Sequence, residues 1–437
     1  ACQQLLALGA VLAVLTPAAS LISLDVVRQP PAGATVSGTG SEVGVLSAYA
    51  QVARSAATLP ATAVDPVVRE VSLTGTVAAR AVPGGGQRLL SRPEVVTGDG
   101  MVGVTWASGA EVAEEDLSIA ARTLTDGEWS GWSTLEYHDE HGPDPDTREG
   151  RRARPGTEPL YVGDVDRVQV RVVDTAGAAP ADLRLAVIDP GTPSRTVSQR
   201  AALDTAETTS AAGPAARGGV TPEPQIFSRA QWGADESMRD KGSLRYYEVH
   251  AGFVHHTVNA NDYSRDEVPG ILRSIYAYHT KSRGWSDVGY NFLVDRFGRI
   301  WEGRYGGVDR PVVGAHTLGY NDYAFAMSAI GNFEQVKPSQ AVIEAYGALF
   351  AWKLSLHGVD ASSTAQTVGN GVFAAVNGHR DAGSTACPGK HLYARLPDIR
   401  SLATTAQTGW EGRDLDADLL GTPHPDVVAR RSADHRV

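Results

Sequence analysis

Residues 285–304 read WSDVGYNFLVDRFGRIWEGR. The strand-like runs Phe292-Leu293-Val294 and Arg299-Ile300-Trp301 within this stretch lie between two helical patterns. Upstream, Ser264 with Glu267 resembles a capping box, and Ile271, Leu272, Ile275 and Tyr276 follow at helical spacing. Pro269 places the proper start of that helix in its first turn. Downstream, Pro338 and Ser339 precede a helical stripe of Val342, Tyr346, Leu349 and Leu356, with Ile343, Phe350 and Leu354 beside it. Between the helices, residues 326–330 (AMSAI) form the short, mostly apolar run expected of a buried central strand. The alternation predicts an α/β domain over residues 225–402, with a mixed central sheet flanked by helices.

Working outward, residues 191–224 are poor in apolar side chains and rich in Ser, Thr, Ala, Gly and Pro, the composition of a flexible linker. Such a linker predicts few contacts across it, so residues 225–402 should fold and act alone. Residues 66–190 alternate apolar and polar positions in short runs, as in Val168, Val170 and Val172 or Leu183, Leu185 and Val187. Turn residues separate the runs, which predicts a smaller, all-β, sandwich-like domain ahead of the α/β domain. Trp129 and Trp132 suit a cap on its core better than a carbohydrate platform. Residues 21–65 read as a tether, and residues 403–437 as a tail. In the tail, the alternating Asp414, Asp416 and Asp418 resemble the opening of one calcium-loop propeller repeat, a unit that cannot bury its own core.

The chain has 437 residues and a formal net charge of −11, which argues against a nucleic-acid partner, since that calls for a basic face. The apolar run at residues 5–15, followed by Ala18, Ala19 and Ser20, is too short to span a bilayer and reads as the remnant of a secretory signal peptide over residues 1–20. The expectation is a secreted monomer acting outside the cell, without a membrane span. Of the two cysteines, Cys2 lies in that leader, so the mature chain would keep Cys387 alone. A lone thiol in an oxidising compartment needs a reason, and metal ligation is one.

Chemistry concentrates in FVHHT (253–257), in the 285–304 stretch, and in NGHRDAGSTACPG (377–389). A catalytic zinc site wants three protein ligands and one open position, and imidazole and thiolate both suit the metal. His255, His379 and Cys387 supply a two-histidine, one-cysteine set. Each residue taken singly is more often structural; the joint case raises the odds. Successive strand side chains point to opposite faces, so only one of His255 and His256 should bind metal.

The run of SRAQWGA (228–234), FVHHT, GWSDVGYNFLVDRFGRIWEGR (284–304), VVGAHTLGYN (312–321), AIGNF (329–333) and GHRDAGSTACPG (378–389) resembles the type-2 N-acetylmuramoyl-L-alanine amidases, which include the peptidoglycan recognition proteins. The resemblance implies a Zn²⁺ held by His255, His379 and Cys387. It also implies a catalytic Tyr290, and a Thr385 that donates a hydrogen bond where some members carry Lys. His316 resembles a cleft residue, and His256 and Asn321 are further candidates for touching substrate. The implied reaction is hydrolysis of the amide between N-acetylmuramic acid and L-alanine in peptidoglycan; the alternatives are binding without cutting, or a metal-dependent peptidase. Tyr305-Gly306-Gly307 stands where many members carry a Gly-Trp pair that helps to select the stem peptide.

Overall fold

The structure is a computed structural model, and it describes residues 56–73, 80–81, 87–109, 116–138, 140–175, 179–202, 221 and 223–408. The leader, most of the tether (21–55), the middle of the linker (203–220) and the tail beyond residue 408 lie outside the described residues.

The N-terminal part is a β-sandwich, as the alternation predicts. In one sheet Leu160–Asp164, Asp99–Thr105, Arg184–Asp189 and Val67–Ser72 lie side by side, all antiparallel. In the other, Arg167–Asp174 and Leu117–Thr125 pair at the centre. The inward positions Val102, Val104, Val168, Val170, Val172, Leu183, Leu185 and Val187 fill the layer between the sheets. Trp129 and Trp132 are not part of that core. They stay half-buried, and guanidinium groups lie over their rings: Arg122 at 4.3 and 4.8 Å, and Arg171 at 4.5 Å from Trp132.

The C-terminal part is α/β, with Ile226–Phe227, Ile300–Glu302, Phe292–Val294, Ala324–Ala329, Ala251–His256 and Val376–Gly378 in that order across one mixed sheet. The central strands Ala251–His256 and Ala324–Ala329 are buried at every position, so they read as continuous apolar runs. One face is covered by the helix Gln340–Leu356, whose Ser339 cap accepts from the Val342 amide, and by Leu396–Ala406. The latter helix runs past residue 402, and Gln407 beyond its end is buried. The other face is covered by the helix Val268–Ala277, which starts beside Pro269 as expected.

Among the described residues the two parts touch more closely than a free linker predicts. The described residues belong to one compact unit. Ala57–Pro60, read as tether, pairs with Thr196–Gln199, read as linker. The helix Val268–Ala277 is buried at every position but Gly270, because the sandwich covers the side that the α/β sheet leaves open. Met101, Tyr161, Ala186 and Ile188 of the sandwich share one apolar cluster with Ile271, Leu272 and Ile275. Tyr278 reaches into the sandwich, where a Cβ on Gly103 would lie 2.5 Å from its ring. Its hydroxyl donates to the Thr157 carbonyl at 2.8 Å. Tyr278→Ala should therefore cost about 3–5 kcal/mol, the usual range for a buried aromatic. Chemical denaturation followed by probes in both halves should show one transition moving to lower denaturant. A second transition that stays in place would mean the halves fold separately.

A candidate metal centre under a covering segment

Strand register builds the site. Val254 lies opposite Gly378 in the parallel pair Ala251–His256 and Val376–Gly378, so the next residues out, His255 and His379, fall side by side. Their ring centroids are 4.4 Å apart, close to the spacing of neighbouring strands. The loop after His379 returns Cys387: Arg380 N donates to Cys387 O at 3.0 Å, and Cys387 N donates to Thr385 Oγ1 at 3.1 Å. Cys387 Sγ then lies 3.6 Å from His255 Nδ1 and accepts from the His256 amide at 3.4 Å. One ligand atom each from His255, His379 and Cys387 falls within 4.8 Å of the others. Below the strand, the Tyr346 hydroxyl on the long helix donates to His255 O at 2.9 Å.

The donor chemistry suits a divalent metal. Burial, followed by the neighbouring imidazoles, holds His255 and His379 well below the usual histidine range, so both rings stay neutral and keep a lone pair. His379 Nε2 is buried without a hydrogen-bond partner. Burial pushes the Cys387 thiol up, with the His256 N–H acting against it; a cation is what would favour the thiolate. Tetrahedral zinc bonds of 2.0–2.3 Å would set ligand atoms about 3.3–3.8 Å apart, a short contraction from the spacing found.

The resemblance-derived residues separate into groups. Tyr290 is buried beside the ligands, with its ring centroid 5.4 Å from that of His255. Burial holds its hydroxyl well above the usual tyrosine range, so it remains an O–H donor. Thr385 is half-buried and supports the Cys387 loop; it does not line the cavity at the ligands. His256 faces away from the ligand set, as alternation requires, and its Nδ1 accepts from Phe333 N at 3.2 Å. His316 is buried 5.7 Å from the His255 ring, and burial brings its pKa down to about 3. Asn321 holds the loop together, accepting from the His316 and Thr317 amides at 2.7 and 3.0 Å. Its NH₂ donates to Gly142 O at 3.1 Å.

Sequence reasoning missed Thr317, whose Oγ1 lies 3.2 Å from His255 Nε2 and so turns Nδ1 towards the ligand set. It also missed His141 and Glu158, which the sandwich domain contributes. His141 stacks on Tyr290, with centroids 4.8 Å apart and planes at 20°. Its ring centroid is 6.1 Å from that of His255. His141 Nδ1 meets Glu158 Oε1 at 2.5 Å, and its Nε2 has no hydrogen-bond partner. Burial alone would raise the Glu158 pKa; the His141 ring reverses this and brings it down to about 2. The available signal was the cluster His138-Asp139-Glu140-His141, which matches no ligand spacing and lies more than 100 residues from FVHHT.

The domain family described as N-acetylmuramoyl-L-alanine amidase matches residues 245–390. The one described as Rv3811 N-terminal galactose-binding domain-like matches residues 57–197. Peptidoglycan-recognition protein SC2 of Drosophila melanogaster is 35% identical over 173 residues, 39% of this chain and 84% of its own length. The N-acetylmuramoyl-L-alanine amidase of Homo sapiens is 31% identical over 180 residues, 40% of this chain and 28% of its own. Among solved structures, wild-type Drosophila PGRP-LB aligns at 28% identity with a TM-score of 0.33, over 39% of this chain and 91% of that one. With two donor-bearing strands at hydrogen-bonded spacing and a relative matched over most of its length, the chain belongs to the family of peptidoglycan-recognition proteins and N-acetylmuramoyl-L-alanine amidases.

Proposed function

We propose that this chain is a zinc-dependent amidase that hydrolyses the bond between N-acetylmuramic acid and L-alanine in peptidoglycan. The observation that supports it most is the convergence of His255, His379 and Cys387 beside Tyr290. A member that only binds wall fragments needs no such donor set. When bound, zinc supplies a water whose pKa is lowered towards ~7 and a Lewis acid for the lactyl carbonyl. The chain's own groups do the rest. Thr317 orients His255, and the His256 amide and Thr385 hold the Cys387 loop. Tyr290, kept protonated, donates its O–H to the oxygen on which charge develops. The Thr385 hydroxyl oxygen accepts from Cys387 N, so Thr385 acts by holding the Cys387 loop in place. Peptidoglycan lies outside the cell membrane, so the site of action would be extracytoplasmic. No helix among the described residues is long and apolar enough to cross a membrane.

Mass spectrometry of muropeptides incubated with the purified chain tests this reading. Free stem peptides beginning at L-alanine should appear, and a chelator should stop their release until zinc is returned. Intact muropeptides in every condition would leave a binding protein. Cuts within the stem would mean a peptidase.

A further inference from the structure

Between the strands Ser133–Thr134 and Leu160–Asp164 of the sandwich run 25 residues, 135–159, whose described residues hold one short helical turn, Gly150–Arg152, and a single bridge at Gly156. Connections of that length inside a compact unit are usually functional. This one leaves the sandwich and crosses the α/β site. Glu140 O accepts from Leu318 N at 3.1 Å, and Gly142 O from Asn321 Nδ2 at 3.1 Å. The Asp144 carboxylate accepts from Gly319 N at 2.6 Å. Farther along, Glu149 pairs with Arg304 at 2.7 Å and accepts from Ser286 N at 2.9 Å. Between these anchors His141 lies flat on Tyr290, and the Glu140 carboxylate fills the space where a Cβ on Gly383 would stand.

Two consequences follow. The cavity left among His141, Tyr290, His255, His379 and Cys387 is only about 10 Å³. That is about the least that holds one water, whereas a ligand site for a molecule of muropeptide size needs roughly 300 Å³ or more. In addition, the groups that the strap presents to the 316–321 loop are backbone carbonyls and a carboxylate. A stem peptide carries the same groups, so the strap uses the donors that such a ligand would need.

We propose that residues 136–138 and 140–158 form a built-in plug: the strap occupies the substrate groove as a stem-peptide mimic, and the candidate metal centre becomes accessible only when it is displaced. The proposal rests on the amidase reading for its activity arm alone. A strap that must lift to admit substrate carries His141 away with it, which makes His141 part of the cover.

The test uses the full chain and two variants. Glu140→Ala with Asp144→Ala removes the carboxylate that holds Gly319 N and Asn321 Nδ2 and the one that lies against Gly383, so the strap keeps only its main-chain anchors on the 316–321 loop. His141→Ala with Glu158→Gln empties the centre without leaving a buried carboxylate unpaired. Three quantities are read: alkylation of Cys387 by iodoacetamide in metal-free protein, binding of a soluble muropeptide to zinc-loaded protein by calorimetry, and stem-peptide release. Both variants should label at least tenfold faster than the unaltered chain and bind at least tenfold more tightly. Labelling and binding within twofold of the unaltered chain overturn the plug. If one variant melts below the assay temperature, the other decides. Faster labelling and tighter binding with no stem peptide released in any sample keep the plug and remove the amidase reading. Stem-peptide release with labelling and binding unchanged does the reverse.

Discussion

Cys387→Ser should leave the purified chain with less than a tenth of the zinc bound by the unaltered protein, and stem-peptide release should fall to background. Serine is nearly isosteric and can still accept from the His256 amide, so the loop should persist. What it lacks is a soft donor that ionises next to a cation. Two neutral imidazoles remain, one short of the three-ligand minimum of catalytic zinc sites. The thiol also dictates the pH dependence. Burial holds it protonated in the metal-free chain, so uptake must expel that proton. Both histidines are already neutral near pH 7 and release none. Apparent zinc affinity should therefore weaken about tenfold per unit as pH falls, the slope of a single displaced proton. Metal analysis after dialysis, with melting curves of both metal-free proteins, separates ligand loss from misfolding. Equal zinc in variant and unaltered chain would remove Cys387 from the set.

Tyr290→Phe should act differently: zinc retained, melting temperature little changed, and turnover down by about 10²–10³-fold, the usual effect of removing one donor aimed at developing negative charge. The separation is sharp because Tyr290 contributes its ring and its hydroxyl to different things. The ring is buried at 2% exposure and stacks with His141, contacts that phenylalanine keeps. The hydroxyl is buried with the Ser328 side chain beside it, and Tyr290 lines the small cavity at the candidate ligands, where a fixed dipole acts more strongly than in water. Zinc content, melting temperature and stem-peptide release measured on one sample decide it. Near-normal release with zinc retained would make Tyr290 a core aromatic and no more.

The covering segment bears on how both results are read. If the strap limits access, the unaltered chain starts from a low rate, and the Tyr290→Phe ratio is best measured in the background with Glu140→Ala and Asp144→Ala. Neither of those residues touches the ligands, so the comparison isolates the hydroxyl.

Local pattern was enough for the elements of this protein. Residues 292–294, 300–302 and 324–329 are strands, and 340–356 is a helix capped by Ser339, because period and turn chemistry are local properties. The donors His255, His379 and Cys387 were legible for a related reason: a metal site demands particular residue types, and few are available in a chain with two cysteines. Alternation also separated His255 from His256 before any contact was known. What pattern does not carry is pairing. Periodicity says which face of an element is buried, never what buries it. The residues 57–60 and 196–199 look like tether and linker in isolation, yet each is the other's strand partner. The helix Val268–Ala277 shows an apolar stripe for one sheet, and only the assembled fold reveals a second sheet behind it. Glu149 meets Arg304 across 155 residues, and His141 reaches Tyr290 from another domain. Composition and local spacing thus determined an α/β framework carrying a candidate set of metal donors, preceded by a β-sandwich. Tertiary structure alone decided that the two share a core and that a sandwich loop lies over the ligands, because those contacts join segments whose separation in sequence leaves no periodic trace.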